Sequence, residues 1–303
     1  MSSLMRWLVA RRGTRIAALL LSFLLPLTNV LGAALVVMST RKAGWRSAAI
    51  DLAVGLALLG GLVQFTGGDS EQASGILPVI TALLGAGALW GGALAGALLL
   101  RRFESVDLAV QSLVVLALLG LLAISLMIPD PRAHWQPVLE SLIRAAGLPQ
   151  VDGLPAGWLG TVASLMHGVI GASLLSTLIL ALILGLWFER DASAGEWRRR
   201  FLELRLGRVL SLLALLAAVL TLTGSIGFGG GALLVLATGF AAQGVAVVHW
   251  TADRRGWPRV WPLALYGPLL LGAPAAGLLL ASLALAGLLD NGIALRRPGS
   301  NVV

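Results

Sequence analysis

The chain has 303 residues, of which 58% are hydrophobic and 12% are charged, and it contains no cysteine. The absence of cysteine excludes disulfides, thiolate metal sites and thiol redox chemistry. The net charge of +8 comes from basic residues scattered among the ends of apolar segments. That distribution is typical of membrane loops and anionic-lipid contact, and it argues against nucleic acid as a partner.

Long charge-free stretches recur along the chain, and positions 209–252 contain no Asp, Glu, Lys or Arg. A bilayer core is crossed by roughly 20 apolar residues in a helix. Backbone groups in lipid must be satisfied within their own segment, and the short alternating strands of a barrel are absent. The sequence therefore predicts an all-α, polytopic transmembrane helical bundle that forms a single integral membrane domain over 1–303. About eight spans are expected, near 16–38, 48–65, 76–100, 106–128, 158–188, 208–227, 231–250 and 260–288.

The first predicted span could also be a signal peptide, because arginines precede it and Gly32-Ala33-Ala34 offers small residues for a peptidase. However, the apolar run continues to Met38 and then meets further basic residues. We therefore expect an uncleaved first membrane segment.

Arginine placement predicts the orientation of the spans. Six arginines lie between Arg190 and Arg208, which assigns that loop to the cytoplasm. Alternation from there places loops 66–75 and 129–157, which are richer in acidic residues, on the outer side. The N-terminus is then expected in the cytoplasm, and the protein in a bacterial inner membrane.

This predicted orientation is inconsistent with the charges that flank the first and last predicted spans. Segments 16–38 and 260–288 each have basic residues on both flanks, although a single crossing puts one flank outside. Both contain proline, which kinks or breaks a helix: Pro26 in the first, Pro268 and Pro274 in the last. Each segment is therefore either a broken or re-entrant pair of helices, or one helix with a simple kink.

Two loops show helical spacing of apolar residues. In the outer loop, residues 131–147 are expected to form a helix at the membrane surface, with Pro137 in the first turn. In the cytoplasmic loop, residues 189–206 are expected to contain an amphipathic helix, because Ser193 and Glu196 have capping-box spacing. The second helix either rests on the membrane interface or docks a partner.

Polar residues within spans are functional candidates because burying them in hydrocarbon is costly. Those in the predicted spans are Asn29, Asp51, Gln64, Gln111, His167, Gln243, His249 and Asp290. Asn29, His167 and Gln243 lie deepest and are predicted to bind a ligand; the alternative is that each bonds to a neighbouring helix. Asp51 and Asp290 lie near span ends and are expected to be interfacial.

No protease, hydrolase, nucleotide-binding or metal-binding motif is present, so we expect no catalytic residues, no metal and no cofactor. The third predicted span contains two overlapping G-x-x-x-G spacings, formed by Gly87 with Gly91 and by Gly92 with Gly96. Small residues at this spacing let helix backbones approach closely. These glycines are therefore predicted to pack helices together, within the bundle or in an oligomer.

The segments Phe201–Gly207 and Gly244–His249, and Leu288-Leu289-Asp290 before a terminal arginine pair, resemble the YybS-like family of bacterial multi-pass membrane proteins. That family has no established activity. Its layout is similar to the substrate-binding components of energy-coupling factor transporters and to the rod-shape protein MreD. The resemblance implies a compact helical bundle with a cavity open to the outside. The A-x-x-x-A spacing that some such components use to dock their coupling subunit is absent from residues 16–38.

Two functions follow as hypotheses. The first is a small-molecule binding or transport component without its own ATPase, whose partners are the lipid bilayer and a membrane protein such as a coupling subunit. The second is a non-enzymatic scaffold or assembly factor of an envelope complex. An intramembrane enzyme has little support, because no paired catalytic constellation is visible.

Overall fold

The computed structural model describes residues 11–25, 28–66, 76–147, 157–188, 196–293 and 295–296. Throughout these ranges the regular elements are helices, which confirms the all-α fold class. Six of the helices in the described part are long and apolar enough to cross a membrane. The protein is therefore a multi-pass membrane protein.

The helices follow one another with short connections. In chain order they are α1 (Arg12–Leu24), α2 (Asn29–Lys42), α3 (Trp45–Thr66), α4 (Ile76–Phe103), α5 (Val106–Met127), α6 (Pro131–Ala145), α7 (Trp158–Phe188), α8 (Glu196–Leu202), α9 (Gly207–Leu222), α10 (Gly231–Arg255), α11 (Trp261–Tyr266) and α12 (Ala273–Ile293). A π-helical turn, Ile226–Gly230, precedes α10, and a 3-10 turn, Gly267–Leu270, follows α11.

The chain divides into two compact units. Unit 1 comprises Met1–Leu113 and Ser176–Phe201, and unit 2 comprises Val114–Leu175 and Leu202–Val303. The N-terminal helices α1 to α4 therefore belong to unit 1, and the C-terminal helices α9 to α12 belong to unit 2.

The first predicted span is not one helix but two, α1 and α2, in unit 1. Pro26 lies outside the described residues. The Thr28 hydroxyl donates to the Ser22 carbonyl at 3.0 Å, and Gly32 lies directly against the Ser22 side chain, so α2 folds back along α1. At 13 and 14 residues, each helix is roughly 20 Å long, which is shorter than the bilayer core.

Both ends of this hairpin lie at the same end of unit 1. Near the start of α1, Arg15 donates to the Ser47 hydroxyl in the first turn of α3 at 3.0 Å. Near the end of α2, the Thr40 carbonyl accepts from Arg101 at 3.1 Å. Of the two alternatives for residues 16–38, the structure shows the broken pair.

The last predicted span is also broken. Pro268 lies in the 3-10 turn and Pro274 in the first turn of α12, where a missing backbone N–H costs no helical hydrogen bond. The short α11 lies against the end of α10, since the rings of His249 and Trp261 are 4.7 Å apart. Gly244 of α10 contacts Leu283 of α12, and the two helices pack antiparallel.

Of the roughly eight predicted spans, six correspond to described helices that are long and apolar enough to cross a membrane. The first predicted span is split, and the span predicted at 208–227 ends earlier, at Leu222 of the 16-residue α9. Gly224 has a φ of +100°, a conformation that favours glycine and cannot continue a right-handed helix. The chain then passes through the π-helical turn into α10.

The four glycines predicted to pack helices divide into two pairs. A Cβ at Gly92 would lie 2.8 Å from Leu178, and one at Gly96 would lie 3.2 Å from Leu182, so both positions face α7 within unit 1. At Gly87 and Gly91 a Cβ would meet nothing within 4 Å.

A helix is present within each of the two predicted loop segments. The one predicted in the outer loop is α6, and Pro137 lies inside this helix and not in its first turn. The Asp130 carboxylate caps the start of α6 by accepting from the Ala133 N–H at 3.0 Å, and none of the α6 side chains is buried. The one predicted in the cytoplasmic loop is the short α8, which ends at Leu202, and its Arg200 pairs with Glu104 at 3.0 Å within unit 1. Ser193 of the predicted capping box lies outside the described residues.

Candidate functional site

In unit 1, the principal polar contact joins α1 to α3. Asp51 is 1% exposed, and its carboxylate lies 2.6 Å from the Arg15 Nε and 3.1 Å from the Arg12 Nε. Arg15 is itself buried. This paired charge is internal to the protein, so it fixes the position of α1 rather than presenting a free group to a solute.

Asn29, one of the three predicted ligand residues, is the first residue of α2. It follows directly on the break between α1 and α2. Its Oδ1 is buried and has no hydrogen-bond partner. A buried amide oxygen without a partner is uncommon in folded proteins, because burial removes the water that would otherwise bond to it.

Gln243, the second predicted residue, lies fully buried in α10 at the centre of a network in unit 2. Its Oε1 accepts from the Leu206 backbone N–H at 2.9 Å, just before α9 begins. Its Nε2 lies 3.0 Å from both the Asp290 carboxylate and the Asn291 Oδ1 of α12. Asn291 in turn donates to the Gly207 carbonyl at 3.2 Å. Gln243 therefore ties three helices together, and its amide has no unused atom.

Arg296 completes this network. Its Nη2 lies 2.6 Å from the Asp290 carboxylate and also donates to the Leu204 carbonyl at 2.6 Å. The Leu202 carbonyl accepts from its Nη1. Arg296 and Asp290 are 6% and 1% exposed, so the arginine counts as an interior residue and not as a loop charge. The Arg296 guanidinium therefore binds the chain that follows α12 to the segment that precedes α9.

His167, the third predicted residue, lies in α7 and is 3% exposed. Its Nε2 is buried without a partner. The ring of Trp135, from α6, packs edge-on against it with centroids 6.3 Å apart, and the Trp135 Nε1 is also buried without a partner. Two polar atoms with no protein partner thus belong to neighbouring rings in unit 2.

The structure does not bring the three predicted residues into one contact network. Asn29 belongs to unit 1, whereas His167 and Gln243 belong to unit 2 and have different neighbours there. The joint site therefore stays a prediction. Gln243 bonds to neighbouring helices, which was the alternative prediction for these residues. Asn29 and His167 each retain a buried polar atom without a hydrogen-bond partner.

Sequence reasoning missed the charged partners and Trp135. Asp51 and Asp290 were expected at the interface, yet both are buried and paired with Arg15 and Arg296. For Asp290 a usable signal was Arg296, six positions further along the chain, whereas Arg15 is 36 positions from Asp51. Trp135 lies within the predicted helix 131–147, and nothing in the sequence indicated that it meets His167.

Among the described residues, no group of three or more His, Asp or Glu side chains is arranged to hold a metal ion. The chain was also compared with protein-family models, curated proteins and solved structures, and none of them matches it. The site must therefore be interpreted from its own geometry.

Proposed function

We propose that the protein is a small-molecule binding or transport component of a bacterial cytoplasmic membrane, without an ATPase or a catalytic activity of its own. The observation that carries this proposal is the unused polar atom on two predicted residues, Oδ1 of Asn29 and Nε2 of His167. In a native protein such atoms are exceptions that call for a partner, and a bound solute supplies one.

The broken segments support the same function. The break before Asn29 separates two helices that are each shorter than the bilayer core, and the 3-10 turn at Gly267–Leu270 separates the short α11 from α12. Non-helical backbone at membrane depth is tolerated where it is buried in protein or lines a water-filled cavity. In secondary transporters, discontinuous helices of this kind form the solute site.

The partner would be a second membrane protein. The chain has no nucleotide-binding motif, so energy for transport would come from elsewhere. Because the A-x-x-x-A docking pattern is absent, a coupling subunit would have to bind through another surface. The cluster of basic residues around the ends of α1 and α2 supports a cytoplasmic location for that end and for the N-terminus.

The test is a thermal-shift screen of the purified protein in detergent against a broad library of small metabolites. A binding solute raises Tm in proportion to its occupancy. We expect the shift to shrink in Asn29→Ala, in His167→Ala, or in both. Ser282→Ala is the matched control, because that hydroxyl is exposed and bonds to its own helix at Leu278.

A hit whose shift is the same in all three variants would refute the assignment of Asn29 and His167. If no solute stabilises the wild-type protein, the binding function itself is wrong.

The second candidate, a non-enzymatic scaffold, is favoured by one observation. Asp51, Gln243 and Asp290 are buried and bond to internal partners that fix helices to one another. A scaffold needs a rigid bundle and a docking face, and α8 supplies an exposed basic one through Arg198 and Arg199. Crosslinking in cells distinguishes the two: a scaffold should lose a specific crosslinked partner when both arginines become glutamate.

A further inference from the structure

The beginning of α6 lies on one face of α7 and beside the π-helical turn, all within unit 2. The Arg132 guanidinium rests on Gly160, where a Cβ would lie 2.6 Å from its Nε. A Cβ at Gly227 would lie 3.5 Å from Pro131 and 3.7 Å from the Ser164 carbonyl oxygen. These contacts place the start of α6 directly against α7 and the π-helical turn, next to the pair of Trp135 and His167.

The two unpartnered atoms, Trp135 Nε1 and His167 Nε2, differ in their hydrogen-bonding chemistry. The Trp135 indole N–H can only donate a hydrogen bond, whereas the His167 Nε2 donates or accepts according to its tautomer. A buried donor that has lost its water and finds no acceptor destabilises the folded state. Without a ligand, the buried indole N–H has no acceptor. A ligand oxygen that accepts a hydrogen bond from the indole N–H would remove this cost.

The surrounding charge favours an anionic oxygen. Arg132 lies one turn before Trp135 in sequence on the side of α6 that meets α7, and the His134 ring packs against Trp135 with centroids 5.1 Å apart. Asp130, before the first residue of α6, uses its Oδ1 to cap the start of that helix. The Arg132 guanidinium therefore supplies the positive charge at the contact of α6 with α7.

We propose that Trp135 and His167 form the binding subsite for the carboxylate of a small organic acid. The Trp135 N–H donates to one carboxylate oxygen, the His167 Nε2–H donates to the carboxylate in the appropriate tautomer, and Arg132 supplies positive charge at the entrance. This inference rests on the proposed solute-binding function, and it adds a residue and a ligand class to it.

The experiment uses the full-length protein in detergent and matched probes: acetate with acetamide, and benzoate with benzamide, at constant ionic strength. Each pair has nearly the same shape and differs in charge. We expect the carboxylates to raise Tm and the amides to do so far less. Trp135→Phe keeps an aromatic ring but removes the donor, and should raise the apparent Kd about 10- to 100-fold, as expected for a hydrogen bond to a charged group.

Two variants of His167 and one control variant keep the result interpretable. His167→Leu should weaken carboxylate binding as Trp135→Phe does, whereas His167→Gln, which retains a donor, should restore part of it. Trp257→Phe is the control, since Trp257 is far along the chain, after α10, and packs on Trp261. It should bind the probes like the wild type.

Three outcomes would overturn the proposal: no stabilisation by either carboxylate, equal effects of acids and amides, or unchanged affinity in Trp135→Phe. If the metabolite library yields a ligand while Trp135→Phe leaves its affinity unchanged, only the subsite fails and the solute-binding function stands. If neither the library nor the probes stabilise the protein, both fail.

Discussion

Each unit contains one buried carboxylate held by arginine, Asp51 in unit 1 and Asp290 in unit 2. Burying an ion pair is costly in itself, and its net contribution to stability is often small. Removing one member of the pair is strongly destabilising, because the remaining charge stays buried without a partner. The pairs therefore hold particular helices together and penalise any arrangement that separates them.

We predict that Arg296→Met lowers the free energy of unfolding by about 3–5 kcal/mol, because Asp290 keeps its charge but loses its main partner. Denaturant unfolding in detergent micelles measures the loss. Arg199→Met, at an exposed position, should change it by less than about 0.5 kcal/mol.

The double variant Asp290→Leu with Arg296→Met should recover part of that loss, since it removes both charges and keeps apolar bulk. An Arg296→Met protein as stable as the wild type would show that the ion pair is not holding the C-terminal segment to the loop before α9.

At this scale the sequence indicated which residues are unusual but not what they touch. Arg15 and Asp51 are 36 positions apart, and their contact depends on how α1 packs on α3. Spacing along a single helix carries no information about such a contact. The burial of His167 and Gln243 agrees with their apolar surroundings in the sequence, whereas the hydrogen bonds of Gln243 depend on the positions of α9 and α12.

At the scale of elements, the glycines of α4 show what a spacing pattern can and cannot predict. Of the two G-x-x-x-G pairs, Gly92 with Gly96 lies against a neighbouring helix, and Gly87 with Gly91 has nothing within 4 Å of a Cβ. Successive residues of a helix point about 100° apart, so Gly91 and Gly92 face different directions. Only the packing of α7 decides that Gly92 and Gly96 are the covered pair.

We predict that Gly92→Leu destabilises the protein by about 1–3 kcal/mol, because its side chain would collide with Leu178. Gly91→Leu is a matched control one position away, in the same helix and with the same change of propensity, but with open space around its Cβ. The melting temperatures of the two purified variants should differ clearly. Equal losses in both would mean that helix propensity, and not contact with α7, governs the effect.

For the whole molecule, the hairpin of α1 and α2 removes the conflict at the N-terminus. A single crossing by residues 16–38 would leave one basic flank outside, against the usual preference for basic loops in the cytoplasm. In the hairpin, Arg15 and Thr40 both lie at the end of unit 1 that contains Arg101. The proline-broken pattern was visible in the sequence, but two short helices and one kinked helix share it, and contacts were needed to choose.

The last prediction concerns sidedness, and the natural absence of cysteine makes it directly measurable. Single cysteines at Gly13 and Ala43 should both be shielded from an impermeant maleimide in intact cells and react after permeabilisation, because the hairpin returns the chain to the same side. From the arginine distribution, Asp152→Cys should react in intact cells and Gly195→Cys should not; both positions lie outside the described residues. Opposite labelling of Gly13 and Ala43 would contradict the hairpin alone, since a chain that crosses once must separate them. Labelling at Gly195 but not at Asp152 would show that the predicted orientation is inverted. The cytoplasmic assignment of the basic end of unit 1 would then also be wrong.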